Sequence, residues 1–399
     1  MVSDAPGVNP PPAAVARSRR DRMAVWVRND PIRLVLYVFG LLFVLLIVAA
    51  AASNLFFNPD SGFTLERLIR LSVFGLAQGS IYALVALGYT LVYGILLLIN
   101  FAHGEVFMAG AYIGFFAITA LERAGLLLTQ PLLSLLITMA VGIVASMTVA
   151  FVLERVAYRP LRGAPRLVPL ITAIGASITI QQIFLRLFGS ATRTYPDLNL
   201  YILPGVFQTE CTQVNGQLVC QGLDIIRGIY EVELLGLSLR IRPLYFIIFL
   251  IAAITMVALW LFVKRTRTGK AMRAVAEDKK TAALMGINVD RVIVITFLLG
   301  AALAGVAAVL FALYNRQVTP FMGFAPGIKA FTAAVLGGIG NIPGAMFGGV
   351  LLGMIESIAP SLLGIPSQLE DVVAFGMLVL ILIFRPTGIL GEVLSEKKA

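Results

Sequence analysis

Uncharged stretches that are apolar on every helical face recur along this chain: Leu34 to Phe57, Leu71 to Ile99, Leu126 to Leu153, Leu167 to Leu185, Pro243 to Val263, Val292 to Asn315 and Ala330 to Ile355. They match the roughly 20 helical residues needed to cross ~30 Å of hydrocarbon. Barrel strands would instead alternate over segments of about 10 residues. The pattern predicts an all-α polytopic membrane protein with about 8–10 transmembrane helices. With 59% hydrophobic residues, 13% charged residues and a mean hydropathy of +0.92, little of the chain is left for a soluble core. Residues 1–31 are expected to form a basic, largely disordered cytoplasmic lead, 32–391 the membrane domain and 392–399 a cytoplasmic tail. The first apolar run is long for a cleaved signal, so a retained first span is expected.

Two polar interruptions break the apolar runs. The first, "INFAHGEVFMAGAY", brings Asn100, His103, Gly104 and Glu105 together, and His103 is the sole histidine. The second, "AVLGGIGNIPGAMFGGVLLGMIES", contains Gly338, Gly340, Asn341 and Pro343. Pro343 lacks the amide that would extend a preceding helix, and Gly340, Gly344 and Gly348 fall at the spacing that lets helices approach closely. A solvated turn and a set of packing glycines are the plainer readings. Lengths favour breaks sunk into the bilayer, where irregular backbone must line a cavity or be buried in protein. Paired Gly/Pro-interrupted segments point to a transport pathway.

Charge orients these elements. Lys264 to Arg291 carries eight cations and Arg155 to Arg166 four, which assigns both to the cytoplasmic side. The connection from about 189 to 241 is comparatively acidic and suits the opposite side. The net charge of +10 is then a topology signal, since no aromatic-interleaved basic face accompanies it. An even number of crossings between the N-terminus and Arg155 makes each interruption follow an inward helix and precede an outward one.

Both cysteines lie in the outer connection, in "CTQVNGQLVC". Asn215-Gly216 suits a two-residue type I′ turn, and counting outward from it pairs Cys211 with Cys220. This small extracytoplasmic β-hairpin then holds a disulfide, or two free thiols. In the basic loop of about 264 to 291, Lys270 to Ala276 reads as helical, and Arg273 and Glu277 share a face. Asp278 suits an N-cap, Lys279 to Met285 makes two turns, and Gly286 suits the C′ position. Such order suggests docking onto a soluble partner.

Several activities lack their residues. Thr268-Gly269-Lys270-Ala271 lacks the first glycine and the Ser/Thr of a phosphate-binding loop. One histidine and two distant cysteines do not make a usual zinc site. No enzyme, bound cofactor or metal is expected of this chain. A self-powered carrier or channel and a permease driven by a separate ATPase remain.

Four segments carry a resemblance: "GSIYALVALGYTLVYGILLLINFAHGEVFMAGAY", "AMRAVAEDKKTAALMGINVDRV", "GIKAFTAAVLGGIGNIPGAMFGGVLLGMIES" and "RPTGILG". Over about Phe63 to Gly391 the chain resembles the H-type (LivH-like) permease subunit of bacterial branched-chain amino-acid ABC importers. The resemblance implies an inner-membrane subunit with both termini cytoplasmic, paired with a homologous M-type permease. It further implies two cytoplasmic ATPases, which bind ATP and Mg²⁺, and an extracytoplasmic binding protein that delivers the solute. Branched-chain and other neutral amino acids would cross by alternating access; urea or short amides are the alternative solutes of similar subunits. The basic loop would be the ATPase coupling loop, with Arg273, Ala276, Glu277, Asp278 and Gly286 on its motif and Lys279 opening its second helix.

Overall fold

The computed structural model is described here for residues 64–391, except 166, 386 and short stretches between 197 and 236. The expected first span, the N-terminal lead and the tail lie outside the described residues. Seven described helices are long and apolar enough to cross a membrane. In chain order the helices are α1 (Leu65–Leu96), α2 (His103–Arg123), α3 (Pro131–Leu153), α4 (Leu167–Phe188), α5 (Pro243–Arg265), α6 (Arg267–Glu277), α7 (Lys279–Leu284), α8 (Val289–Asn315), α9 (Phe324–Gly337), α10 (Ile342–Leu363) and α11 (Glu370–Phe384). Helix starts follow local chemistry. Pro131 and Pro243 occupy first turns where no amide is needed, and Asn288 caps α8 by accepting from Arg291 N at 2.9 Å. Hydroxyls inside the spans return to the carbonyl four residues back, as Ser80 does to Leu76 and Thr296 to Val292. Hydroxyls bonded in this way bring no unmet polar group into hydrocarbon, whereas Thr90 Oγ1 of α1 and Ser357 Oγ of α10 are buried with no hydrogen-bond partner among the described residues.

The 32-residue α1 is the central mast, packed on α10, α8, α5 and α9. Its most extensive contact, with α10, is backbone against backbone. A Cβ on Gly79 would lie 2.8 Å from Gly349 O and Val350 Cα, and one on Gly75 2.8 Å from Gly353 O. Lipid tails are as apolar as leucine, so helices in a bilayer associate through this kind of close fit more than through a hydrophobic gain. The glycine spacing read from the sequence is therefore used, but in another register. Gly344 and Gly348 meet α9 at Gly337 and Ala333, Gly349 and Gly353 meet α1, and Gly340 has nothing within 4 Å of its Cβ position. Further close approaches join α8 to α1 at Gly300 and Gly88, and α8 to α3 at Gly305 and Ile143.

The outward faces of α3 and α5 are apolar. On α3 they comprise Leu132, Leu133, Leu136, Val144, Phe151 and Val152, and on α5 Phe246, Phe249, Leu250, Ile254, Val257 and Leu261. The long connection between α4 and α5 contains the anticipated hairpin, in the anticipated register: Cys211 opposite Cys220 and Val214 opposite Gln217. The cysteine side chains lie outside the described residues, as therefore does the disulfide. A second hairpin, Tyr230–Leu234 against Leu237–Ile241, was not anticipated. Arg193–Thr194 also pairs with Gln317–Val318, tying this connection to the one between α8 and α9.

Replacing Gly79 with Val forces α1 away from α10 and is expected to cost about 1–3 kcal/mol, read as a lower melting temperature in detergent. Gly163→Ala, where nothing lies within 4 Å, leaves the melt unchanged.

Candidate functional site

The first interruption is a turn at which the chain doubles back inside the bundle. Leu97 ends α1 in the left-handed region (φ 57°), with its amide on Tyr93 O. His103, Gly104 and Glu105 then form the first turn of α2, which brings that helix to 21 residues, a full span in itself. The apolar run from Val106 to Leu121 is by itself shorter than a span, because the polar first turn that completes α2 does not read as membrane helix. His103 Nε2 faces Gly88, eight residues before the end of α1. The start of α2 therefore lies about 12 Å back along α1 from its last residue.

Asn100, His103 and Glu105 are all buried there, on separate partners. Asn100 Oδ1 accepts from Tyr158 Oη at 2.7 Å. The His103 ring meets Tyr89 edge-on with centroids 4.9 Å apart. Glu105 Oε1 accepts from Ser177 Oγ on α4 at 3.4 Å. His103 and Glu105 do not bond each other, because residues two apart on a helix point to different sides. Gly104 abuts Gly323, where its Cβ would lie 2.6 Å from the carbonyl oxygen, so α2 opens against the start of α9.

The second interruption follows α9, whose 14 residues reach about 21 Å, short of a span. Gly338 and Gly340 turn the chain with φ of 103° and 94°, values that suit glycine. Asn341 caps α10 by accepting from Gly344 N at 3.2 Å, and Pro343 sits in the first turn of α10. Residues of "RPTGILG" seal the end of α9. Ile389 N donates to Leu336 O at 2.8 Å, Leu390 N to Gly337 O at 3.1 Å, and Asn341 Nδ2 to Leu390 O at 2.8 Å. Carbonyls that a helix end leaves open are thereby met inside the protein. Tyr89, Tyr93, Ile99, Phe331, Ala334 and Ile339 bring the two interruptions around one shared space of about 10 Å³, room for a single water.

The basic loop folds as its residues suggest. Thr266 caps α6 by accepting from Gly269 N at 3.0 Å, which starts that helix at Arg267, one turn earlier than expected. Arg273 Nη2 donates to Lys264 O at 3.4 Å, and Glu277 closes the same helix. Asp278 then caps α7, accepting from Lys280 N at 2.8 Å, Thr281 N at 3.1 Å and Thr281 Oγ1 at 2.8 Å. The Thr281 hydroxyl and amide and the Lys280 amide hold its carboxyl below the usual range. Partial burial and the charge of Arg162 lower Lys279. Gly286, at φ 84°, ends α7 in a Schellman arrangement, its amide on Ala283 O and that of Ile287 on Ala282 O. Met272 and Val275 of α6 are buried, whereas Leu284 and Met285 stand 87% and 80% exposed at the tip of α7.

The model of the branched-chain amino acid transport system permease component matches residues 71–382. The chain belongs to this permease family. It is 47% identical over 339 residues to the high-affinity branched-chain amino acid transport system permease protein BraD of Pseudomonas aeruginosa, covering 85% of this chain and 99% of that protein. It is 43% identical over 327 residues to the corresponding protein LivH of Escherichia coli, covering 81% and 95%. A probable branched-chain amino acid transport permease, LivH of Methanocaldococcus jannaschii, is 28% identical over 279 residues, covering 70% and 77%. The chain is a multi-pass membrane transport permease.

Sequence reading missed two ionic clusters in the permease. On α9, Lys329 pairs with Glu356 of α10, with Asp371 of α11 at 2.6 Å and with Glu370 at 3.9 Å. Tyr82 of α1 donates to Glu356 at 3.4 Å. Four helices thus meet on one buried ammonium. The signal was present, since an ionisable residue inside an apolar helix calls for a partner, and Lys329 and Glu356 bound the run from Ala330 to Ile355 at its two ends. The partner is found only in space. The second cluster joins the short connection after α3 to α8: Arg162 pairs with both Glu154 and Asp290, and Arg159 lies 3.7 Å from Asp290.

Lys329→Met leaves Glu356 buried without its counter-ion and is expected to destabilise the permease by about 3–5 kcal/mol. Adding Glu356→Leu recovers most of that loss, as read by melting in detergent.

Proposed function

We propose that this chain is the H-type permease subunit of an ATP-driven importer that translocates branched-chain and other neutral amino acids. The observation that carries the reading is the 47% identity across 99% of a high-affinity branched-chain amino acid permease. On this reading it pairs with a homologous M-type permease, and the solute passes between the two. A binding protein delivers the solute, and two ATPases hold ATP and Mg²⁺. The chain is then a non-enzymatic part of an ATP-hydrolysing complex. The end bearing α6 and α7 faces the cytoplasm, as do both termini.

Energy enters through the basic loop. Leu284 and Met285 are exposed on a helix that is capped at both ends, an arrangement that suits an apolar anchor for a soluble partner. The buried face of α6 packs on α5, α8 and α1, so force on α7 passes to three spans as a rigid displacement. His103, Glu105 and Asn100 brace the first turn-back through Tyr89, Ser177 and Tyr158, and the shared space at the interruptions is too small for an amino acid. Selectivity and energy come from the partners, so the permease needs a route that touches a zwitterion without holding it.

Reconstitution of the whole complex tests the reading: ATP-driven uptake of radiolabelled leucine is expected, and uptake of urea in its place overturns the solute assignment. In the same liposomes Leu284→Asp is expected to lower solute-stimulated ATP hydrolysis by about tenfold or more, the consequence of losing an anchor of roughly 2 kcal/mol. Charge reversal at Arg273 and Glu277 acts in the same direction. Unchanged hydrolysis in Leu284→Asp removes α7 as the docking element.

A further inference from the structure

Between α3 and α4 the chain changes helical pitch twice in succession. Glu154–Tyr158 makes a single π turn, closed by the amide of Arg159 on Glu154 O, and Arg159–Leu161 makes a 3₁₀ turn. Single π turns at helix ends are uncommon and often stand at functional sites. This one is held at both ends. Arg162 pairs with Glu154 and with Asp290 in the first turn of α8, and Arg159 stands 3.7 Å from Asp290. The Glu154 side chain is 1% exposed and its Oε2 has no partner among the described residues, so Arg162 is the counter-ion of a buried carboxylate. Asp290, by contrast, is 60% exposed. At the other end of the π turn Tyr158 is buried. Its hydroxyl donates to Asn100 at 2.7 Å, and its ring packs on Phe297 of α8 with centroids 5.3 Å apart. Asp290 and Phe297 lie two turns apart on one face of α8, which therefore grips the π turn at two heights.

These contacts join the two places that an ATP-driven permease has to connect. Asp290 follows closely on Gly286, where α7 ends, and the charge of Arg162 reaches Lys279, where α7 begins. Asn100 belongs to the first interruption, between α1 and α2. We propose that Arg162 is a positioning residue that ties the basic loop to the first interruption, through Glu154 and the π turn to Tyr158 and Asn100. The inference rests on the importer reading and adds to it the route by which movement of the loop reaches the membrane core. A displacement of α7 moves the first turn of α8 and Asp290 with it. Arg162 stays on Glu154 throughout, because parting would leave a buried carboxylate without its counter-ion. The π turn is then the part that gives. Its bond from Arg159 to Glu154 spans five residues and can shorten to the four of an α-helix, a discrete change that swings Tyr158 relative to Asn100.

Asp290→Asn is the first test, because an exposed partner can be removed with little loss of stability, whereas Arg162→Gln strands Glu154. In the assembled complex in liposomes this variant is expected to melt as the wild type does and to lose uptake more than hydrolysis, so that leucine taken up per ATP falls by about fivefold or more. Asp290→Glu, which keeps the charge, restores the ratio. Tyr158→Phe keeps the ring on Phe297 and removes the hydroxyl from Asn100; it lowers the same ratio, and combined with Asp290→Asn it does no further harm, since both cut one route. If Tyr158→Phe does not assemble, Arg162→Gln with Glu154→Gln cuts the route without stranding a charge and takes its place. An unchanged ratio in Asp290→Asn overturns the inference, as does a fall of uptake and hydrolysis in step, or losses that multiply in the combined variant. Failure of the wild-type complex to take up leucine with ATP counts against the importer reading, separately from the route.

Discussion

Backbone contact between α1 and α10 is the constraint on which the bundle depends. In water, burying side chains would drive these helices together; in a bilayer that gain is largely absent, and dispersion across a close interface takes its place. Gly75 and Gly79 on one helix and Gly349 and Gly353 on the other bring main chains within van der Waals reach over two turns. With α1 fixed to α10, the remaining helices find their places against the mast: α8 through Gly88 and Gly300, and α9 through Gly337, Gly344 and Gly348. The Lys329 cluster adds direction to a contact that glycines make without polarity, because one ammonium answers carboxylates from α10 and α11 together.

The same close packing explains why the two interruptions are sealed. A backbone that leaves the helix inside a membrane domain exposes amides and carbonyls that hydrocarbon cannot satisfy. Here the protein supplies the partners: Tyr158 for Asn100, Ser177 for Glu105, and the segment through Ile389 and Leu390 for the end of α9. What remains between them is room for one water. Asn100 and Glu105 thus each have a partner in the fold, while His103 Nε2 and Glu105 Oε2 are buried with no hydrogen-bond partner among the described residues. Among the seven candidate spans, α4 is the least buried against the rest of the chain.

Much of this was legible beforehand. Apolar runs of about twenty residues or more located α1, α3, α4, α5 and α8, because a bilayer demands length and hydrophobicity of each helix separately. The Asn215-Gly216 turn set the register of the cysteine hairpin, since turn geometry alone decides which residues face each other. Asp278 and Gly286 marked the two ends of α7, because capping is settled within a few residues of chain. The start of α6 was placed a turn late because Thr266, a serviceable cap, stood directly after an apolar run and was read as part of its flank.

The sequence by itself thus determined what depends on local chemistry: span positions, caps, turns and family membership. Only the tertiary structure decided what depends on distance in space. It chose which glycines of the second interruption face α9 and which face α1, a question of helix register to which a regular spacing offers several answers. It paired Lys329 with Glu356 across 27 residues and Tyr158 with Asn100 across 58. It also decided that the stripe of α4 through Pro169, Ala173 and Phe184 packs inward, which no periodicity can reveal, because a helix carries its stripe in its sequence but learns which way that stripe points only from the neighbours it packs against.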